Sequence, residues 1–377
     1  MGQHYVFSAP GRTEISGNHT DHQHGCVLAA AVNLETVAEV ILLDDPTIII
    51  HSEGYPSVEI DLNDLKVHPE EINTTKALVR GVAAAFAQRS ADIKGFLAKV
   101  KSTVLPGSGL SSSAAFEVLI GTIMNELFYD KKLTAVEIAQ IGQWAENVYF
   151  GKPCGLMDQT ASSVGGMVFI DFADPKEPVV EKLDFDFEKA GHALCIIDCG
   201  ADHANLTGEY AAIPYELKEL CAIFGKEYLR DIPEKVFFAK LHEVRHQVSD
   251  RAILRAIHFY QENERVQKQA AALKANDFDA FLQLVKKSGR SSWMYLQNIT
   301  PAGEIQHQDM ALALAMCDTL LQGRGAYRVH GGGFAGTVQA FVPADMLDVF
   351  KQGIEAVFGK DSCHALSVRN AGGIRVK

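Results

Sequence analysis

Apolar and polar residues alternate along "HYVFSAP", "VLAAAVNLETVAEVILL", "TIIIHSEG" and "SVEIDL", and a period of two predicts strands through the first 60 residues. The spacing changes to three and four at "TTKALVRGVAAAFAQRS", which predicts a helix, and "GFLAKVKSTV" reads as strand again. Two longer helical patterns follow, "SSSAAFEVLIGTIMNELFY" and "TAVEIAQIGQWAENVYFG"; a strand then comes at "GGMVFIDFAD", with "VVEKLDF" as its partner. After a strand at "HALCIIDCG" the pattern is mostly helical from Glu209 to about Gln322, broken by Pro214, Pro233 and Pro301. The chain closes with strand, glycine turn and strand in "GAYRVHGGGFAGTVQAFVP", a helix in "MLDVFKQGIEAVFG" and a last strand in "HALSVRNAGGIRV". A strand-rich half followed by a helix-rich half, each with strands of its own, predicts an α+β protein of two domains, 1–190 and 191–377.

Composition narrows the classes of function. In 377 residues, 47% are hydrophobic and 22% charged, enough for a large core. The 35 Lys and Arg against 47 Asp and Glu leave a net charge of −12. That balance argues against non-specific nucleic-acid binding, and with no polybasic run an anionic membrane is not an expected partner. The first residues lack a basic segment followed by an apolar one, and no apolar run approaches the ~18 residues that span a bilayer, so a cytoplasmic protein is expected. Seven scattered cysteines without a C-x-x-C pair read as free thiols. Charge does not decide between monomer and homodimer.

Four stretches carry chemistry. In "STVLPGSGLSSSAAFEVL" a strand, a glycine loop and a helix start bring Pro106, Gly107, Ser108, Gly109, Leu110, Ser111, Ser112 and Ser113 together. Amides at a helix start lack partners and the macrodipole is positive there, so the loop suits a phosphate although it lacks the lysine of the commonest phosphate loop. An ordinary serine-capped helix is the other reading. In "YFGKPCGLMDQTASSVGG", Asp158 stands in an apolar setting with Glu146 just upstream; the pair reads as a base with a metal ligand, or as a cap with a solvated acid. In "SAPGRTEISGNHTDHQHG", Arg12, Asn18, His19 and Asp21 form a dense set of donors and acceptors of the kind a sugar needs. Its three histidines, His19, His22 and His24, have no second ligand cluster at zinc-like spacing. Gly331, Gly332 and Gly333 permit close backbone approach to a ligand or another loop.

In their order, "PGR…GNHTDHQHG", "LPGSGLSSSAA", "GKPCGLMDQ" and "HGGGFAG" resemble the galactokinases of the GHMP small-molecule kinase family, over essentially the whole chain. The resemblance implies an N-terminal half like the second domain of ribosomal protein S5, a ferredoxin-like C-terminal half, and an active site in the cleft between them. It implies ATP and Mg²⁺, with Pro106 to Ser113 cradling phosphates and Ser113 and Glu146 holding the metal. Asp158 would take or orient the proton of the sugar's anomeric hydroxyl, and Arg12 would neutralise charge on the transferring phosphoryl group. Asn18, His19, Asp21, Gly155 and Tyr210 fall where galactokinases contact galactose.

The departures are specific. The family pattern R-x-N-x-x-G-E-H-T-D-Y reads here "RTEISGNHTDH": Glu14 replaces Asn, Asn18 replaces Glu and His22 replaces Tyr. The family glutamate accepts a bond from the C6 hydroxyl; with Asn18 the charge is gone, which admits a C6-altered sugar such as galacturonate. N-acetylgalactosamine is a further alternative. His330 stands where Thr is usual, Pro214 where an arginine is frequent, and "TTKALVRG" lacks a tryptophan often found near adenine. The leading expectation is an ATP-dependent sugar 1-kinase acting on galactose. A sugar sensor that does not catalyse is the expectation from another class, and retention of Arg12, Ser113, Glu146 and Asp158 argues against it.

Overall fold

The computed structural model describes residues 4–104, 109–200, 206–334 and 336–377. The first half is built on β1 (His4–Ser16), β2 (Cys26–Leu42), β3 (Thr47–Ser52), β4 (Val58–Asp61), β5 (Phe96–Ser102), β6 (Met167–Asp171) and β7 (Val179–Leu183). Helices α1 (Thr75–Gln88), α2 (Ser112–Phe128), α3 (Ala135–Ala145) and α4 (Met157–Val164) pack against that sheet. The second half adds β8 (His192–Asp198), α5 (Thr207–Ile223), α6 (Glu234–Ala239), α7 (Leu241–Val244), α8 (Asp250–Lys274), α9 (Phe278–Ser291), α10 (Asp309–Leu321), β9 (Ala326–His330), β10 (Thr337–Pro343), α11 (Leu347–Phe358), β11 (Cys363–Leu366) and β12 (Ile374–Arg375).

Two sheets result. The larger runs β12-β1-β2-β5-β3-β4, with β6 on the first part of β2 and β7 on β6; the smaller runs β11-β8-β10-β9. β2 is long enough to serve two neighbours, pairing β6 through Cys26–Ala30 and β5 through Thr36–Leu42. Its first stretch is buried on both faces. Val27 and Ala29 face α4, whereas Cys26, Leu28 and Ala30 meet Phe281, Val266 and Phe341 of the second half. This double burial explains why "AAAV" replaces strict alternation there. Fully burying one side chain the size of Phe281 contributes about 2 kcal/mol, so this shared core ties the halves together.

Two elements differ from the sequence reading. Pro214 lies inside α5 and does not break it; Ile213 and Leu217, both buried against α8, hold the helix through the missing bond. "HALSVRNAGGIRV" is two strands rather than one: β11 ends the small sheet, and β12 crosses back to pair β1 at Phe7 and Ser8. Gly372 makes the crossing possible, because a β-carbon there would overlap the carbonyl of Ser163.

Candidate active site

β1 carries two register irregularities, between Pro10 and Arg12 and between Glu14 and Ser16. Bulges re-aim side chains, and here they turn Arg12 toward the start of α2 and Glu14 toward the second half. The Arg12 amide donates to the Leu110 carbonyl at 3.0 Å. Its guanidinium donates to Asp158 Oδ1 at 2.7 Å and to the Gly109 carbonyl. Asp158, on the first turn of α4, also accepts from the Ser111 hydroxyl. Burial pushes the Asp158 carboxyl up, but the pair with Arg12 and the Ser111 bond outweigh it and hold it at about 2. The carboxylate is therefore ionised at neutral pH.

Ser111 stands at the N-cap of α2 without acting as an ordinary serine cap. It sits in the left-handed region at φ 54°, uncommon for a residue with a β-carbon, and makes no capping bond to α2. Its hydroxyl is spent on Asp158 instead. Ser112 and Ser113 open the helix behind it. Pro106, Gly107 and Ser108 lie outside the described residues, while Gly109 rests on Thr337 and His330.

The second group lies one turn deeper. A π-helical turn, Glu146–Phe150, extends α3 and buries Glu146 to 4% exposure; such turns recur at functional sites. Gln159 donates to Glu146 Oε2 at 2.9 Å and to Glu117 Oε2 at 3.0 Å. Glu117 lies one helical turn after Ser113 on α2, so the three oxygen-bearing side chains share one neighbourhood. Burial, then the nearby Glu146, push the Glu117 carboxyl well up, and its Oε1 is buried without a hydrogen-bond partner. Hydroxyl and carboxylate oxygens with an unsatisfied acceptor beside them fit a hard divalent cation such as Mg²⁺.

The polar loop after β1 meets the glycine turn of the second half. His19 donates from Nε2 to the Gly332 carbonyl at 2.9 Å; burial and neighbouring His22 bring its pKa to about 3, so the ring is neutral. Asp21 lies against Gly155, where a β-carbon would overlap its carboxylate. Tyr210 covers Gly332 with its ring and donates to the Gly333 carbonyl at 2.8 Å. His19 and Tyr210 thus meet at the glycine turn, while Asp21 meets Gly155 in the segment that leads into α4. Asn18 is different. It is fully buried, its amide donates to Glu14 at 3.2 Å and to the Gly331 carbonyl at 2.6 Å, and its oxygen accepts from Asn298 at 2.8 Å and Ser292 at 3.3 Å. All four hydrogen-bonding positions of the amide are filled by protein, so Asn18 offers nothing to a sugar in this conformation and instead ties the two halves.

Two further residues stand at the site: Arg328 has no signal in sequence, and His330 has only its departure from the family's usual Thr. Arg328, fully buried on β9, pairs with Glu14 and donates to the Ile15 carbonyl at 2.9 Å. His330 accepts from the Glu14 amide at Nε2 and so donates from Nδ1 to Thr337 at 2.8 Å. Both come from a strand whose pattern gives only "core". The exchange of Asn and Glu in "RTEISGN" is a usable clue, since Glu14 and Asn18 are hydrogen-bonded to each other here.

This architecture, with a glycine loop entering a helix on one side and a glycine turn closing from the other, is that of the GHMP kinases. Residues 77–166 match the GHMP kinases N terminal domain, and residues 1–41 match the galactokinase galactose-binding signature. The chain is 31% identical to the galactokinase of Streptomyces coelicolor over 94% of its own length and 88% of that protein's. It is 30% identical to the galactokinase of Glaesserella parasuis over 96% and 90%. It therefore belongs to the galactokinase family, ATP-dependent sugar kinases. In fold it is similar to Lactococcus lactis galactokinase complexed with galactose, with TM-score 0.84 at 23% identity over 99% and 95% of the two chains. It also resembles Methanococcus jannaschii mevalonate kinase, with TM-score 0.68 at 16% identity over 97% and 99%. Among the described residues, no helix is long and apolar enough to cross a membrane.

Proposed function

We propose that the chain transfers the γ-phosphoryl group of ATP to the anomeric hydroxyl of galactose, giving galactose 1-phosphate. The observation that carries this reading is the Arg12–Asp158–Ser111 cluster at the mouth of a glycine loop, with the galactose-binding signature beside it. Asp158, ionised and fixed by two partners, orients the hydroxyl and receives its proton as the new P–O bond forms and the bond from the γ-phosphorus to the bridging oxygen breaks, releasing ADP. Arg12 offsets charge on the transferring group and shares it with Asp158. His19, Asp21, Gly155 and Tyr210 hold the sugar, with Asn18 fixing the loop that presents His19. The Pro106–Ser113 segment binds the phosphates through backbone amides. Ser113 and Glu146 hold Mg²⁺, with Gln159 and Glu117 behind Glu146; the ion, when bound, supplies charge neutralisation to the nucleotide phosphates.

We infer two units meeting near residue 190, 1–190 and 191–377, with β12 crossing back. Residues of both halves of a single chain form the site, so a monomer suffices and a homodimer would carry two copies. A cytoplasmic location supplies the ATP.

On sugar choice, the Asn18 exchange does not leave an open donor for a C6 carboxylate, since its amide is committed to Glu14 and Gly331. Glu14 also keeps a carboxylate nearby. Both points favour galactose over galacturonate. The test is kcat/KM for galactose, galacturonate and N-acetylgalactosamine at fixed ATP. Galactose should lead by about tenfold or more, the scale of one misfit or unpaired group; a lead for galacturonate would reverse the assignment.

A further inference from the structure

The phosphate loop has no lysine, yet the structure brings one to the site from another segment. Lys152 follows Gly151, whose φ of 84° ends the π-helical turn, and its amide donates to the Glu146 carbonyl at 3.2 Å. Its ammonium lies 3.4 Å from Glu146 Oε1, with the side chain 63% exposed at the mouth of the site. The same charge reaches Asp158 and Glu117. The carboxylates of Glu146 and Asp158 and the carboxyl of Glu117 thus lie on the side from which a triphosphate has to arrive, and Arg12 is already committed to Asp158 and the Gly109 carbonyl. A polyphosphate entering there needs a cation that can move. An ammonium on a flexible four-carbon stem meets that need better than a fixed guanidinium fork.

We propose that Lys152 binds the terminal phosphates of the nucleoside triphosphate, leaving Glu146 to the metal when Mg·ATP enters and acting as the second cation of the reaction centre beside Arg12. This rests on the kinase reading above. In the free protein the Glu146 contact parks the ammonium; in the complex a charge-assisted bond to a phosphate oxygen replaces it. The contact is with the β- or γ-phosphate, because Lys152 is placed by Glu146 and Asp158, the metal and sugar end of the site.

The test is calorimetric binding of Mg·ATP, Mg·ADP and AMP, without sugar, to the wild-type chain, Lys152→Met and Lys152→Arg, with galactose binding measured separately. Lys152→Met should weaken ATP by about tenfold, the scale of one hydrogen bond to a charged group, and ADP by less. AMP and galactose should be unchanged, and Lys152→Arg should recover most of the ATP affinity. The gap between wild type and Lys152→Met should narrow as salt rises. ATP binding by Lys152→Met within twofold of wild type overturns the proposal while the kinase reading stands. Equal losses for ATP, AMP and galactose also overturn it, since they mean the loop has been disturbed. A wild-type chain that does not bind ATP removes the kinase reading and this proposal together.

Discussion

Asp21 and Gly155 show how much one missing atom decides. A carboxylate occupies the space a β-carbon would need at Gly155, so the glycine is required by contact rather than by backbone freedom. Gly155→Ala should displace Asp21 and raise the KM for galactose by about tenfold or more, with ATP affinity unchanged, as steady-state kinetics would record. An unchanged KM would mean Asp21 does not face the sugar. At this scale the sequence was legible where side chains are rare or paired in motifs: Arg12, Asp158, His19 and Tyr210 could all be picked out. Asn18 could be picked out but not interpreted, because its partners Gly331, Ser292 and Asn298 are more than 270 positions away, as the 274-residue separation of Asn18 and Ser292 illustrates. Lys152 stood in view within "GKPCGLMDQ", and only the fold puts its ammonium against Glu146.

Between elements, the decisive contact is β1 to β9. Glu14 and Arg328 form an ion pair with side chains 4% and 0% exposed. Removing one member of such a pair leaves the other charged in a dry setting. Arg328→Met should therefore cost about 3 kcal/mol in urea unfolding, while Glu14→Gln combined with Arg328→Met should recover much of that loss. Additive losses in the double variant would show the two do not interact. Periodicity located α3 well, because its buried positions Ile138, Ala139, Ile141, Gly142 and Ala145 recur at helical spacing on one face. It misjudged Pro214, where packing outweighs local propensity, and the C-terminal strand, where a two-residue pairing is too short to leave a pattern.

For the whole molecule, α8 and the loop between β1 and β2 form a buried polar junction. Glu262 accepts from Ser16 at 3.1 Å and the Gly17 amide at 3.2 Å, and His258 donates to the Asn18 carbonyl at 3.0 Å. Burial keeps His258 and His330 below 6.5 in the folded chain, while the unfolded chain protonates them near that value. Groups with a depressed folded pKa contribute stability above the unfolded pKa and lose it as pH falls. Each histidine should then remove up to about 1.4 kcal/mol per pH unit below about pH 6.5. Glu262, lowered to about 2 because Arg265 and its other partners outweigh the upward push of burial, adds a second decline below 4.5. Urea midpoints at pH 7.5, 6.5 and 5.5 should be level at first and then fall; a midpoint rising toward pH 5.5 would contradict this. The α+β class was legible from strand-rich and helix-rich halves. The crossing of β12 and the polar junction were not, since long-range pairing leaves no local trace.

The most direct measurement sets the wild-type chain beside Asp158→Asn, each given galactose, ATP and Mg²⁺. Phosphorus NMR would follow the product and calorimetry the galactose affinity. The account predicts galactose 1-phosphate with matching ADP from the wild type. It predicts loss of turnover by about a thousandfold or more in the variant, within the range for a catalytic acid–base group, with sugar binding retained. Near-normal turnover by Asp158→Asn, or a wild type that binds galactose and forms no phosphate ester, would contradict it.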